Sequence, residues 1–133
     1  RLVFLDASND GGPLGAAQMA WLTRELPESN DVYRTLIFMH QPLYDPRGPG
    51  YYKHLATGSA DALQPLFASN NVRQVLCGHL HGFYTGAWDG VRYTISGGAG
   101  GGLVGKDPDH FFHHYLKVRV CNDQVQCQVV RLD

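Results

Sequence analysis

The four residues Gly78-His79-Leu80-His81 constrain this chain more than any other feature, because they follow the short β-prone run Val72, Val75, Leu76, Cys77 and break into a glycine-bearing turn. The glycine stops a strand at the point where two imidazoles are delivered two residues apart. Neutral imidazole is the commonest metal-ligating side chain, and a turn at the C-terminal end of a strand frees the backbone to aim both rings into one crevice. A second segment repeats the arrangement. Thr35-Leu36-Ile37-Phe38-Met39 is an unbroken apolar strand pattern that ends at His40, followed by Gln41 and Pro42. His40, His79 and His81 thus offer three nitrogens toward the three or four N, S or O ligands of a zinc-type site, with no carboxylate evidently joined to them.

The blocks His40-Gln41-Pro42 and Val75-Leu76-Cys77-Gly78-His79-Leu80-His81 resemble the last two sequence blocks of the calcineurin-like metallophosphoesterase superfamily. The flanking residues resemble it too: Leu5-Asp6, Gly15, Gln18, Trp21-Leu22 and Leu26 before the lone histidine, and Thr94 to Gly100 after the pair. That family's first half carries Asp-x-His, Gly-Asp-x-x-Asp and Gly-Asn-His-Asp/Glu blocks, none of which occurs here. Asp6 does not supply the first of them, since Ser8 stands two residues on.

The resemblance implies a four-layer α/β/β/α sandwich of mixed sheets, of the metallo-dependent phosphatase type. Residues 1–133 would be the C-terminal part of its single domain. It implies hydrolysis of phosphomonoesters or phosphodiesters at a two-metal centre of divalent ions (Mn, Fe or Zn), with His40 and His79 on one metal and His81 on the other. Two such cations neutralise phosphoryl oxygens and stabilise the leaving group in an in-line displacement. The bridging carboxylate and the catalytic histidine are expected in the missing N-terminal half, so the fragment alone is expected to be inactive. A side chain at Gly78 is expected to crowd the turn. Two other classes fit the same histidines: a noncatalytic binding or interaction module, and a mononuclear structural zinc domain using His40, His79 and His81, with or without Cys77.

The 133 residues are enough for one domain, and a formal charge of −1 gives no basic patch for nucleic acid. No apolar run approaches a membrane span. Arg1–Leu5 reads as a buried strand and Asn9 to Pro13 as a turn. Leu14 to Leu26 is the best helix, with Leu14, Ala17, Met19, Trp21, Leu22 and Leu26 forming an apolar arc and Trp21 in the core. Pro27 to Asp31 ends it. Pro42 to Ser59 reads as a loop leaving a metal ligand, hence a wall of the substrate pocket, with Tyr44, Tyr51 and His54 as candidates for contacting a leaving group. Ser59 is the expected cap of a short helix through Phe67, with Pro65 either in its first turn or kinking the segment.

Asp89-Gly90 predicts a hairpin between Tyr84–Trp88 and Val91–Ser96. The run Gly97–Gly105 matches a dinucleotide pattern formally but lacks a following helix, so it reads as a close-packed turn beside the metal crevice. A second hairpin pairs Tyr115–Cys121 with Gln124–Arg131, placing Leu116, Val118 and Val120 opposite Val129, Cys127 and Val125. Cys121 then lies on the other face from Cys127, and all three cysteines read as free thiols, which favours a reducing compartment such as the cytoplasm without fixing a location. His110, His113 and His114 read as packing or surface residues. Isolated from its partner half, the sheet would expose a face open to self-association.

Overall fold

The computed structural model describes residues 1–8, 12–27, 34–122 and 124–132. The turn expected around Asn9 to Pro13, the helix stop at Pro27 to Asp31 and Asp123 of the second hairpin fall wholly or mostly outside them. The elements run β1 (Leu2–Leu5), α1 (Ala16–Glu25), β2 (Thr35–Met39), α2 (Thr57–Ser69), β3 (Val72–Cys77), β4 (Phe83–Trp88), β5 (Val91–Ser96), β6 (His114–Cys121) and β7 (Gln124–Arg131).

Five strands form one mixed sheet in the order β1-β2-β3-β5-β4, and β6 with β7 makes a separate two-stranded ribbon. Neighbours β1, β2 and β3 are parallel and joined through α1 and α2, β5 lies parallel to β3, and β4, the strand between them in sequence, is added antiparallel at the edge. Alternation along these strands sends Val3, Leu5, Ile37, Met39, Val75, Cys77 and Ile95 to one face. There they form a single core with Leu14, Leu22 and Leu26 around α1 and with Ala60, Leu63 and Phe67 of α2. Each fully buried Leu or Phe in this layer contributes roughly 1.5–3 kcal/mol of apolar transfer.

The opposite face is covered unevenly: Leu36, Gln74, Leu76 and Thr94 are buried there, whereas β1 is open. Leu2 and Phe4 are 57% and 68% exposed, and Phe4 stacks on Phe38 at 4.8 Å. β1 is therefore an edge strand buried on one face only, where the sequence suggested a buried strand. Leu116 and Val118 of β6 line an open groove of about 500 Å³ with Phe4, Phe38, His40, Leu76 and Ser96.

Three further expectations are corrected. Ala17 is exposed and Trp21 only half-buried against the core, so the apolar stripe of α1 is narrower than its composition suggests. α2 starts two residues before Ser59 and keeps Pro65 in its interior; the first helical residue follows Ala56, which makes no side-chain cap. Ser59 is instead spent on tertiary structure, its Oγ accepting the Leu14 N–H at 3.0 Å. Both hairpins keep the expected register. Asp89 and Gly90 adopt φ of +48° and +78°, positive at both central turn positions as a type I′ turn demands.

Candidate metal centre

The parallel register pairs Met39 with Cys77, so the residues following these two strand ends must emerge side by side. The Gly78 N–H donates to the His40 carbonyl at 2.9 Å and fastens the two turns together. His40 and His79 converge: His40 Nε2 and His79 Nδ1 lie 3.1 Å apart, with the rings edge to face at 4.9 Å between centroids.

His79 reaches this position with φ of +62°, a left-handed conformation that a non-glycine residue adopts at a cost of order 1–3 kcal/mol. The neighbouring structure holds it there. Leu80 is fully buried, and two tight turns follow, Leu80 N to Gly78 O and Gly82 N to Leu80 O, both at 2.7 Å.

The pair fits a metal on chemical grounds. Imidazole nitrogens about 2.1 Å from one ion stand roughly 3.0 Å apart as cis ligands of an octahedron and roughly 3.4 Å apart in a tetrahedron. The observed 3.1 Å lies within that interval. His81 is held separately, its Nδ1 2.8 Å from the Gly102 carbonyl. That contact places the N–H on Nδ1 and leaves Nε2 as the ring's lone-pair donor. Among the described residues, no group of three or more His, Cys, Asp or Glu side chains converges on one point.

The glycine-rich run is a close-packed wall for this turn, as the sequence suggested. A Cβ at Gly97 would fall 2.2 Å from the Leu80 carbonyl oxygen, and one at Gly101 would fall 2.5 Å from His81 Cε1. Gly101 thus makes room for the imidazole whose orientation Gly102 fixes. Gly78 is different. A Cβ there would meet His40 Nδ1 at 3.7 Å, an ordinary contact, so the expected crowding at this turn is absent. What this position contributes is its N–H.

Other candidate residues are committed elsewhere. Tyr44 donates its hydroxyl to Asp61 Oδ1 at 2.6 Å and packs on Trp88 at 4.8 Å. Burial, and then the Asp61 contact, push its phenol up to about 12. His54 Nδ1 lies 2.6 Å from the Leu55 carbonyl, and Tyr51 sits under the Arg47 guanidinium at 4.2 Å. Tyr44 also lines an apolar cleft of about 240 Å³ with Pro42, Cys77, Tyr84 and Trp88. Burial pushes the Cys77 thiol up to about 12, so it stays neutral at physiological pH. The three cysteines are free thiols.

Two devices were not foreseen. Gln18 clasps the backbone of Asp6, accepting its N–H at 2.8 Å and donating to its carbonyl at 2.9 Å; a polar residue on the core side of α1 is the only sequence hint of it. Asp45 pins the loop after His40. Its carboxylate accepts from Arg47 Nε and Nη2 at 2.9 and 2.7 Å and from the Arg47 and Lys53 backbone N–H groups. Burial pushes this carboxyl up, but the Arg47 and Lys53 hydrogen bonds and the Arg47 charge outweigh it and hold the group below the usual carboxylate range. His110, His113 and His114 make packing contacts, His114 fully buried with Nε2 3.0 Å from Ser96 Oγ.

No family model matches the chain. The 3′,5′-cyclic adenosine monophosphate phosphodiesterase CpdA of Escherichia coli strain K12, and that of strain O157:H7, are each 29% identical to it over 96 residues, 69% of this chain and 34% of theirs. The chain therefore spans about a third of the length of the curated relatives it matches. Among solved structures it is similar to GAP50, the anchor in the inner membrane complex of Plasmodium, with a TM-score of 0.69 at 16% identity over 98% of this chain and 44% of that one. It is also similar to a dimetal phosphatase from Danio rerio, with a TM-score of 0.62 at 22% identity over 87% of this chain and 35% of the other. The similarity to the phosphodiesterase and the fold shared with these structures are both consistent with the calcineurin-like metallophosphoesterase superfamily.

Proposed function

We propose that this chain carries the histidine end of a two-metal centre that hydrolyses phosphodiesters or phosphomonoesters. Residues 1–133 would form the C-terminal part of one domain, with the bridging carboxylate and the catalytic histidine supplied by its preceding part. The observation that carries this reading is the 3.1 Å approach of His40 Nε2 and His79 Nδ1 at the ends of adjacent parallel strands. The exposed apolar side chains of Leu2 and Phe4 on β1 support the domain assignment, since they lie on the face that a second sheet of such a sandwich would cover.

In this reading His40 and His79 hold one divalent cation and His81 the other, the ions being Mn, Fe or Zn. When bound, the two cations neutralise phosphoryl charge and stabilise the leaving group. The chain's own residues prepare the donors. The Gly78 N–H fixes the spacing of the two turns, the Gly102 carbonyl orients His81, and Leu80 anchors the segment between the imidazoles. Tyr44 and His54 stand on the loop that leaves His40. With the Tyr44 hydroxyl engaged by Asp61, it is the ring, lining the apolar cleft, that would meet the organic part of a leaving group.

The test is Mn²⁺-dependent hydrolysis of bis(p-nitrophenyl) phosphate and p-nitrophenyl phosphate by the intact protein, with His79→Ala as control. Turnover of either ester that falls to background in the variant supports the proposal. Turnover by the 133-residue chain alone would contradict the division of ligands between the two halves. If neither ester is turned over, the chain is better read as a noncatalytic binding module, and unfolding by chelator would identify a structural zinc domain instead.

A further inference from the structure

The apolar cleft beside Tyr44 lies on the helix-covered face of the sheet, at its β4 edge. The register pairs Tyr84 with Ile95, Gly86 with Tyr93 and Trp88 with Val91, so these positions share that face. Tyr84, Trp88 and Tyr93 thus surround Gly86, and Tyr44 adds a fourth wall by packing on Trp88 at 4.8 Å. Gly86 leaves a gap among the rings: a Cβ built on it would meet nothing within 4 Å. A glycine inside a strand marks a bulge, a bend or the close approach of another group. Pairing runs through Gly86 without a register shift, and its φ is not positive. Close approach of a ligand accounts for it best.

The gap is held open from the helix side. Asp61 and Gln64, three residues apart on one face of α2, each take a tyrosine hydroxyl: Tyr44 donates to Asp61 Oδ1 at 2.6 Å, and Tyr93 donates to Gln64 Oε1. Gln64 also donates to the Trp88 carbonyl at 3.2 Å, and Tyr84 is fixed by stacking on His110 at 4.1 Å. The walls are therefore set before a ligand arrives, which favours binding.

Among the described residues, no charged side chain lines the cleft, so it suits a neutral apolar group. Its volume of about 240 Å³ is below the ~300–1,000 Å³ of whole-ligand sites and above the roughly 150 Å³ that takes a benzene ring. One ring system fits, and the rest of its molecule lies outside. Pro42 and Cys77 form the end next to the histidines. Each is two residues from His40 or His79, hence within about 7.6 Å of it between Cα atoms.

Resting on the phosphoesterase reading above, we propose that the histidine centre acts on esters whose organic group carries a planar aromatic ring on a short arm, and that the cleft over Gly86 receives this ring. The four aromatic walls offer stacked and edge-to-face contacts that a saturated ring of the same size lacks.

Calorimetric titration of the Mn²⁺-loaded intact protein with methylphosphonate, cyclohexylmethylphosphonate and benzylphosphonate, none of which is hydrolysed, tests this. The benzyl compound should bind about tenfold more tightly than the methyl compound and about threefold more tightly than the cyclohexylmethyl compound. Gly86→Leu, which fills the gap, should remove the benzyl advantage without lowering the melting temperature. Trp88→Leu, at the exposed rim, should reduce that advantage about threefold. If methylphosphonate binds and the benzyl compound gains nothing, or keeps its gain in Gly86→Leu, the proposal is overturned while the metal centre stands. An equal gain for the cyclohexylmethyl compound overturns it too, by making the cleft merely apolar. Benzyl binding undiminished by a chelator overturns it by detaching the cleft from the histidines. If none of the three binds, the phosphoesterase reading has failed and the proposal falls with it.

Discussion

Replacing Gly101 by alanine should separate the positioning of His81 from the stability of the fold. The new Cβ would lie 2.5, 2.7 and 3.0 Å from Cε1, Nδ1 and Nε2 of the His81 ring. The three nearest atoms all belong to that side chain, which can rotate, so the ring must swing away, and its 2.8 Å contact with the Gly102 carbonyl is lost. His81 is half-buried, so the displaced ring finds water and the stability cost is that of one hydrogen bond, about 0.5–1.5 kcal/mol. The effect on metal binding is larger. Removing the partner that orients a ligating imidazole typically weakens the metal by about 10–100-fold.

Two neighbouring glycines provide controls. Gly97→Ala forces a Cβ to 2.2 Å from the Leu80 carbonyl oxygen, which is backbone and cannot rotate away, so an overpacking cost of about 1–3 kcal/mol or more should appear in stability. Gly102→Ala meets nothing within 4 Å and should be silent in both readouts. Mn²⁺ titration calorimetry and thermal denaturation of the intact protein distinguish the three. If Gly101→Ala binds Mn²⁺ like the parent, or melts as early as Gly97→Ala, the role given to the His81–Gly102 contact is wrong.

Other consequences are as direct. Asp45→Asn removes a carboxylate that accepts four hydrogen bonds, two of them from the Arg47 guanidinium, and should cost about 2–3 kcal/mol in denaturant unfolding. Because the folded carboxyl lies below its unfolded value near ~3.9, its contribution is complete above that pH and is lost as pH falls through the folded value. The stability gap between parent and Asp45→Asn should therefore close on acidification below pH ~4, and a gap that widened there would contradict the assignment. Native thiol labelling at pH 8 should modify the exposed Cys121 and Cys127 but spare Cys77, whose burial keeps it protonated; equal labelling of all three would show that the core opens readily. Gly78→Ala should change stability by no more than about 0.5 kcal/mol, since its Cβ makes only an ordinary contact with His40; a loss comparable to that of Gly97→Ala would restore the crowding argument.

The strand ends were legible because their signals are local. An apolar run stopped by His40, another stopped by Gly78, and Asp89-Gly90 each fix a boundary without reference to the rest of the chain, and the structure places those boundaries as the sequence implies. The register of β6 with β7 followed from alternation alone. What escaped depends on partners distant in sequence. Ser59 looked like a cap because its hydroxyl precedes an apolar run, yet Leu14, 45 residues earlier, claims it. Pro65 suggested either a helix start or a kink, and α2 keeps it in its interior, packing Leu63 and Phe67 into the core despite the missing N–H.

The site divides in the same way. That His40 and His79 should meet could be read from two strand ends, because parallel pairing of β2 with β3 aligns them. The Asp45 clasp, the room that Gly101 leaves for His81 and the Gly102 carbonyl that orients it arise from loops whose conformations leave no periodic trace.

The central claim, that His40 and His79 are ligands of one metal ion, is tested most directly by anomalous diffraction from crystals of the intact protein grown with Mn²⁺. The account predicts a peak about 2.0–2.3 Å from both His40 Nε2 and His79 Nδ1, a second peak at His81, and loss of the first in His79→Ala. Crystals in which the two imidazoles keep their direct contact, with manganese absent or bound elsewhere, would contradict it.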